Sequence, residues 1–507
     1  MIWLLASVIV PFLSAICCLL SHQRPRLARS FGVAGAAVLL GTSLMLVRQV
    51  LEEGHVVMQA AGWPAPFGIT LVADVLGASM VAITGLIALA AAIYSVADIG
   101  DRIIRKHYFG VFHFLLMGVN GAFITGDLFN LYVWFEIMLL ASFVLLTMGG
   151  GRDRLEGGVK YLVINLVSSA LFLSGVGLLY GMLGTLNMAD IAVRLETADN
   201  AFLVNSSAML VFVAFSIKSA LFPFFFWLPA AYHTPAPVVS ALFAGLLTKV
   251  GIYALIRANT LFFHTQADAV REILLFLAGA TRLTGVLGAA AQYGVRKILS
   301  FHIVSQIGYM LMGLAIGTAA ALAAAVFYIL HHIIVKANLF LIAGLIARRC
   351  GTEDLKKAGG LYVGAPGLAL LFFIPAFSLG GIPPLSGFWA KFAVIEAGLE
   401  GRHYLLVAVA LLVGALTLFS MTKIWAEAFW KNAPEARAPT PGNGGAKRPA
   451  LLLPCAALAL LTLGIGLWSG PLFALAQAAG DQLIRPEAYI DAVLGHANPP
   501  DYARAHP

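Results

Sequence analysis

Apolar runs of 18 residues or more recur from one end of this chain to the other, each long enough to cross a hydrocarbon layer roughly 30 Å thick. Marking the runs between polar breaks predicts about fourteen helices. They begin near residues 2, 30, 71, 109, 128, 158, 203, 238, 269, 297, 319, 364, 401 and 450. The first, MIWLLASVIVPFLSAICCLL, has no basic residue before it and no small-residue cleavage pattern after it, so it reads as a retained helix. Of 507 residues, 60% are hydrophobic and 11% charged, where soluble proteins have about 25% charged residues. The predicted class is an all-α polytopic membrane protein with no separate water-soluble domain.

The net charge of +8 raises the question of a nucleic-acid partner. If the N-terminus faces outward, the inner segments hold 19 lysines and arginines and the outer segments 7. That asymmetry favours both termini on the outer side, so the basic excess reflects topology and calls for no nucleic acid. Residues 52–70 read as a short outer hairpin and 185–196 as an amphipathic surface helix. Residues 431–449 read as an inner linker, and the tail from about 480 as lying outside. Cys17, Cys18, Cys350 and Cys455 form no CxxC and lie at no ligand spacing to a histidine, so neither disulfide nor metal is expected.

Six basic residues fall within apolar spans: Lys218, Lys249, Arg282, Lys336, Lys391 and Lys423. Each charge at a helix centre costs about 2.5 to 3.5 kcal/mol on insertion scales. Lys423, near an inner end beside Glu427, reads as a paired side chain reaching the interface. The others sit deeper. A lysine in hydrocarbon loses its proton easily, because desolvation favours the neutral amine, while a nearby carboxylate opposes that loss. Glu136 is the one acid in LFNLYVWFEIMLLASFVLL and pairs most economically with one of the buried lysines. A separation that changes makes such a pair a proton gate.

Breaks adjoin two of these lysines. In FSIKSALFPFFFWLP, Pro223 follows Lys218; in SLGGIPPLSGFWAKF, Gly380, Gly381, Pro383, Pro384 and Gly387 precede Lys391. Both helices are predicted to be interrupted. Kinks for packing alone would explain either break, but two breaks beside buried lysines point to an inverted-repeat transporter. In AVFYILHHIIVKANLFL, His332 and Lys336 share a helix face at i,i+4 spacing, and His331 points elsewhere. Glu136, Lys218, Lys249, His331, His332, Lys336 and Lys391 thus supply protonatable groups for a relay, although an interior hydrogen-bonded role explains any single histidine. No GxxxxGK[ST] is present, so ATP hydrolysis is not expected. His113, His302, His331 and His332 leave a haem-binding redox subunit as an alternative.

WFEIMLLASF, FSIKSALFPFFFWLP, AAYHTPAPVVSALFAGLLTKVG, HHIIVKANLFL and GGIPPLSGFWAKF together resemble the antiporter-like subunits shared by Mrp cation/proton antiporters, respiratory complex I and membrane-bound hydrogenases. The resemblance covers roughly residues 70–425. Within that superfamily GWPAPFGITLVADVLGA, the chain length and the short C-terminal tail are similar to the D-type Mrp subunits, with the complex I members second. The resemblance implies fourteen helices with two inverted five-helix repeats. Residues 1–108 would be helices 1–3, 109–260 the first repeat, 261–430 the second, 431–449 a cytoplasmic linker and 450–507 helix 14 with an outer tail.

It further implies that Glu136 is the carboxylate partner, Lys218 and Lys391 the lysines of broken helices 7 and 12, and Lys249 the central lysine, with Pro223, Pro383 and Pro384 at the breaks. His332 and Lys336 match its polar patch less tightly. Arg282 departs from the pattern, where a neutral residue is expected. Pairing with a neighbouring subunit, a fixed barrier and a place nearer the outer surface are all open. The expected function is proton translocation in a bacterial inner-membrane complex exchanging cytoplasmic Na⁺ or K⁺ for external protons. Other subunits and the bilayer are the expected partners, and no cofactor is called for.

Overall fold

The computed structural model describes residues 1–263, 267–433 and 449–495, the side chains of 267–269 excepted. Among these, twelve helices are long and apolar enough to cross a bilayer. Tyr108–Ile124 and the interrupted pair Pro366–Gly380 and Ser386–Glu400 complete the fourteen expected segments. We number them spans 1 to 14 in chain order. Those that position the site are span 3 (Val75–Asp98), span 5 (Leu128–Thr147), span 6 (Arg152–Leu183), span 7 (Ala201–Ala231), span 8 (Pro237–Leu261), span 9 (Ala267–Ala291), span 10 (Val295–Ile316), span 11 (Ala319–Cys350), span 12 (the interrupted pair), span 13 (Tyr404–Trp430) and span 14 (Pro449–Leu467).

The helices start where side chains can satisfy free backbone amides. Asp74 accepts from Gly77 N at 2.7 Å and Asp127 from Asn130 N at 2.7 Å. Asn187, Asn200 and Thr318 cap in the same way. The expected hairpin is present as β1 (Val56–Gln59) paired antiparallel with β2 (Thr70–Ala73), which delays span 3 to Val75. The amphipathic segment forms Met188–Leu195, with its first five residues buried.

Alternating helices place the loops on two faces. One, the N-terminal face, holds Met1, the hairpin and Met188–Leu195, where Asn187 Nδ2 donates to Thr70 Oγ1 at 3.0 Å. The opposite face is tied by Arg29–Asp101 at 2.7 Å and by the Arg296–Glu353 and Arg348–Asp98 pairs. The tail expected on the outside is a packed element on the N-terminal face. Gly470–Leu483 lies against span 11, and Glu487–Leu494 lies against β1 and Met188–Leu195. Most of the expected 431–449 linker, with Arg437, Lys447 and Arg448, and Arg504 of the tail, fall outside the described residues.

Burial separates the spans. Spans 8 and 11 are enclosed by protein throughout their apolar windows and span 10 almost so, whereas spans 1 and 2 are only one-third enclosed. Span 11, with 32 residues, packs against spans 3, 8, 10, 12 and 14. The spans that carry Lys249, His331, His332 and Lys336 are therefore those screened from lipid on every side, which is where a polar group at membrane depth is least costly.

Candidate functional site

Span 7 is interrupted as expected. Its first half ends at Ser219; Ala220 then adopts a left-handed conformation (φ 57°), one short turn covers Phe224–Phe226, and the helix resumes at Trp227. The freed amides are satisfied locally, Leu221 N by Ser216 O at 3.0 Å and Phe222 N by Thr281 Oγ1 of span 9 at 3.0 Å. Trp227 Nε1 bridges the break to Ile217 O at 3.1 Å. Lys218 is in the last turn of the first half, at the negative end of that helix. Its Nζ donates to Ser169 Oγ of span 6 at 3.4 Å and stands 4.8 Å from the centre of the Phe135 ring. Glu136, the next residue, forms no ion pair within 4 Å, and its Oε1 is buried without a hydrogen-bond partner among the described residues. The carboxylate is thus within electrostatic reach of the amine without touching it.

The eighth span holds a feature absent from the expectations. Phe243–Leu247 is a π-helical turn, one residue longer than an α-turn, immediately before Lys249. Its widened backbone supplies the Ala244 carbonyl that accepts from Lys249 Nζ, with Thr248 Oγ1 at 3.3 Å as a second contact. Across the interface, Lys336 Nζ of span 11 donates to Leu299 O of span 10 at 3.1 Å. His332 lies within electrostatic reach of Lys249, Lys336, His331 and His302. Both ring nitrogens of His302 and of His332 lack hydrogen-bond partners among the described residues. Internal water is the ordinary partner for buried polar atoms of this kind. No group of three His, Cys, Asp or Glu able to hold a metal is present among the described residues.

From His332 the polar line continues through aromatic hydroxyls. Tyr328 stacks on His332 (6.4 Å between ring centres) and on Tyr309 of span 10 (5.1 Å, 7° between planes), and its hydroxyl donates to Gln306 Oε1. His331 Nδ1 lies 2.8 Å from Ser386 Oγ, which is 3.1 Å from Ser378 Oγ. These two serines flank the break of span 12. There the first half ends at Gly380 and Gly381 turns the chain with φ 92°; the second half begins at Ser386. Lys391 belongs to the second half, yet its Nζ donates to Gly380 O at 2.9 Å and stands 5.5 Å from the Tyr309 ring centre.

Arg282 of span 9 is fully buried within this chain, away from any surface on which a neighbouring subunit would meet it. Its Cζ is 4.5 Å from the Tyr309 ring centre and Nη1 reaches Leu406 O at 3.4 Å. Lys423 is interfacial as expected but with other partners. It donates to Ala290 O and Gln292 O at 2.7 Å each, at the end of span 9, and Glu427 pairs with Lys431 at 3.0 Å.

Sequence reasoning missed Tyr309, Tyr328, Gln306, Ser378 and Ser386, and gave His302 no place in the relay. A signal for some of them exists. His302, Gln306 and Tyr309 follow i, i+4, i+7, and Tyr328, His332 and Lys336 follow i, i+4, i+8, each set tracing one helix face. Also missed was the ion pair of Asp74, in the GWPAPFGITLVADVLGA segment, with Arg257 at 2.6 Å.

Residues 125–417 match the family model described as "NADH:quinone oxidoreductase/Mrp antiporter, TM". The chain is 45% identical over 473 residues to the D-type subunit of a Na(+)/H(+) antiporter from Alkalihalophilus pseudofirmus, covering 93% of this chain and 94% of that one. It is 39% identical over 492 residues to the protein of the same name in Bacillus subtilis, covering 97% and 99%. A chain of the Mrp complex from Dietzia sp. superposes with a TM-score of 0.89 at 35% identity, over 97% of this chain and 99% of that one. A chain of respiratory complex I from Thermus thermophilus does so with 0.81 at 25% identity, over 95% and 99%.

Proposed function

Because the chain belongs to the membrane-subunit family shared by NADH:quinone oxidoreductase and the Mrp antiporter, and is a subunit of a multisubunit cation/proton antiporter, we propose that it carries the proton limb of the exchange. Protons pass along the line Glu136, Lys218, Lys249, His332 with Lys336, and Lys391. The complex exchanges cytoplasmic Na⁺ or K⁺ for external protons, driven by the proton-motive force. The observation that carries this reading is the polar line itself. Its ammonium and imidazole groups run through spans 7, 8, 11 and 12, largely within the helices enclosed by protein, and His332 on it and the neighbouring His302 of span 10 together have four ring nitrogens with no protein partner among the described residues.

Glu136 and Lys218 act as the gate. Out of contact, the carboxylate holds the lysine's proton weakly; in contact it holds it strongly, since opposite charges within about 4 to 6 Å favour the charged form. Lys249 and Lys336 share a neighbourhood with no carboxylate among the groups acting on them, so a proton arriving on one repels a proton on the other. That repulsion passes the charge onward. His331, held by Ser386, links the patch to the break of span 12, and Lys391 is the terminal carrier.

The two broken helices support, as the family resemblance implies, inverted repeats over 109–260 and 261–430. The 19-to-7 basic asymmetry supports an N-terminal face toward the periplasm of a bacterial inner membrane. The test is cation-dependent collapse of a pH gradient in everted vesicles holding the assembled complex. Glu136→Ala, Lys218→Ala and Lys391→Ala are each expected to reduce it at least tenfold, and wild-type rates in all three would sink the assignment. A flavin or iron–sulfur spectrum in the purified complex would instead favour a redox-driven pump.

A further inference from the structure

Arg282 and Lys391 stand over the same ring. Their distances to the Tyr309 centre, 4.5 Å and 5.5 Å, cap the separation of guanidinium carbon and ammonium nitrogen at the sum of the two, about 10 Å. The arginine is fully enclosed and its Nε and Nη2 have no hydrogen-bond partner among the described residues. Beside it, Thr281 holds the break of span 7, and Gly308 of span 10 leaves the room its stem fills. Measured along span 13, Arg282 lies beside Leu406 and Lys391 beside Gly414, so the arginine is nearer the N-terminal face.

Among the described residues, the groups that face this pair carry no compensating negative charge. From span 10 come Tyr309 and His302, and from span 11 Tyr328 and His331. Span 13 contributes Lys423, at its far end. Among the described side chains, the carboxylates of the two helices concerned, Glu272 on span 9 and Glu396 and Glu400 on span 12, are exposed. An arginine at such a place stays charged, since its guanidinium does not give up a proton.

We propose that Arg282 is a positioning charge for Lys391: a permanent cation that biases the terminal lysine toward passing its proton on, the opposite of the bias that Glu136 places on Lys218. The two broken helices then differ in purpose, one lysine tuned to hold and the other to release. This rests on the reading of Lys391 as a proton carrier. At 10 Å and an effective dielectric constant of about 20, the field of one charge is worth up to about one pH unit in the lysine's proton affinity.

The experiment uses the assembled complex, with co-purification of the partner subunits as the control, and reads the pH at which exchange reaches half its maximum. Arg282→Met removes the charge. Leu406→Glu leaves the arginine in place and sets a carboxylate beside it. Both variants strengthen Lys391's hold on its proton, so the half-maximum is expected to move alkaline by about one pH unit in each. An unchanged half-maximum with only a lower rate, an acid shift, or loss of exchange at every pH in either assembled variant overturns the proposal. Lys391→Ala separates the two failures. If it transports like wild type, the relay reading of Lys391 is wrong; if it is inactive while Arg282→Met and Leu406→Glu keep the wild-type profile, only the role of Arg282 is.

Discussion

Lys391 is carried by the second half of span 12, but its ammonium group caps the last carbonyl of the first half, Gly380 O, at 2.9 Å. Lys218 lies in the last turn of the first half of span 7. In sequence one lysine precedes its break and the other follows it; in space both amines sit at the C-terminal end of a half-helix. That end carries partial negative charge, which stabilises a protonated lysine without pairing it to a carboxylate. A charge held by a dipole end is easier to discharge than one locked in a salt bridge.

Gly381 makes that geometry possible. It adopts φ 92°, and a Cβ there would stand 2.8 Å from Lys391 Cδ. Gly381→Ala is expected to cost about 1 to 2 kcal/mol in backbone strain and to push the lysine stem off the Gly380 carbonyl. Exchange by the assembled complex should fall about tenfold while assembly persists, measured as vesicle transport per copy of purified complex.

The π-turn before Lys249 gives a second prediction. Deleting Leu246 converts Phe243–Leu247 to an α-turn and withdraws the Ala244 carbonyl from Lys249 Nζ. The helix remains, so membrane insertion should be normal and exchange lost. Normal exchange in this variant would show that the bulge has no part in positioning Lys249.

Asp74 and Arg257 form a buried pair at 2.6 Å, and Arg257 also lies over Tyr489 of the C-terminal helix at 5.0 Å. Removing one partner leaves the other charged and enclosed. Asp74→Ala is expected to destabilise by about 3 to 5 kcal/mol, and the Asp74→Ala/Arg257→Met double variant by clearly less. Thermal unfolding in detergent, followed by size-exclusion chromatography of the complex, checks both.

His55 on the hairpin packs edge-on to Tyr489 (6.1 Å between ring centres). Its proton affinity is lowered, first by desolvation and then by Arg257, with Asp74 opposing. The unfolded chain therefore takes up this proton more readily than the folded one. The stabilising contribution is complete above the ordinary histidine value of about 6.5 and is lost as pH falls below it toward the folded-state value. Thermal stability should decline from pH 7 to pH 5, and His55→Gln should flatten part of that slope.

Much of this protein is legible before any fold is known. Apolar length marks fourteen segments because a bilayer requires it, and the energetic cost of a charge at membrane depth singles out Lys218, Lys249, Arg282, Lys336 and Lys391. Glycine and proline beside two of them announce broken helices, since neither residue sustains an uninterrupted turn there. The tail from 480 is harder to read because its helices are polar on one side only and gain their order from docking on span 11 and the hairpin. The π-turn before Lys249 leaves no mark in local propensity.

What residue type and spacing determined, then, is which groups must be sheltered and where the backbone opens. Tertiary structure decided which of them meet. A contact such as Tyr309 with both Arg282 and Lys391 joins spans 9, 10 and 12, and only helix packing sets its distances. The same packing decided that Arg282 faces no carboxylate among the described residues. Its burial, whose cost is legible in the sequence but whose direction is not, became a field acting on a neighbour because spans 9, 10 and 12 enclose the two cations around one ring.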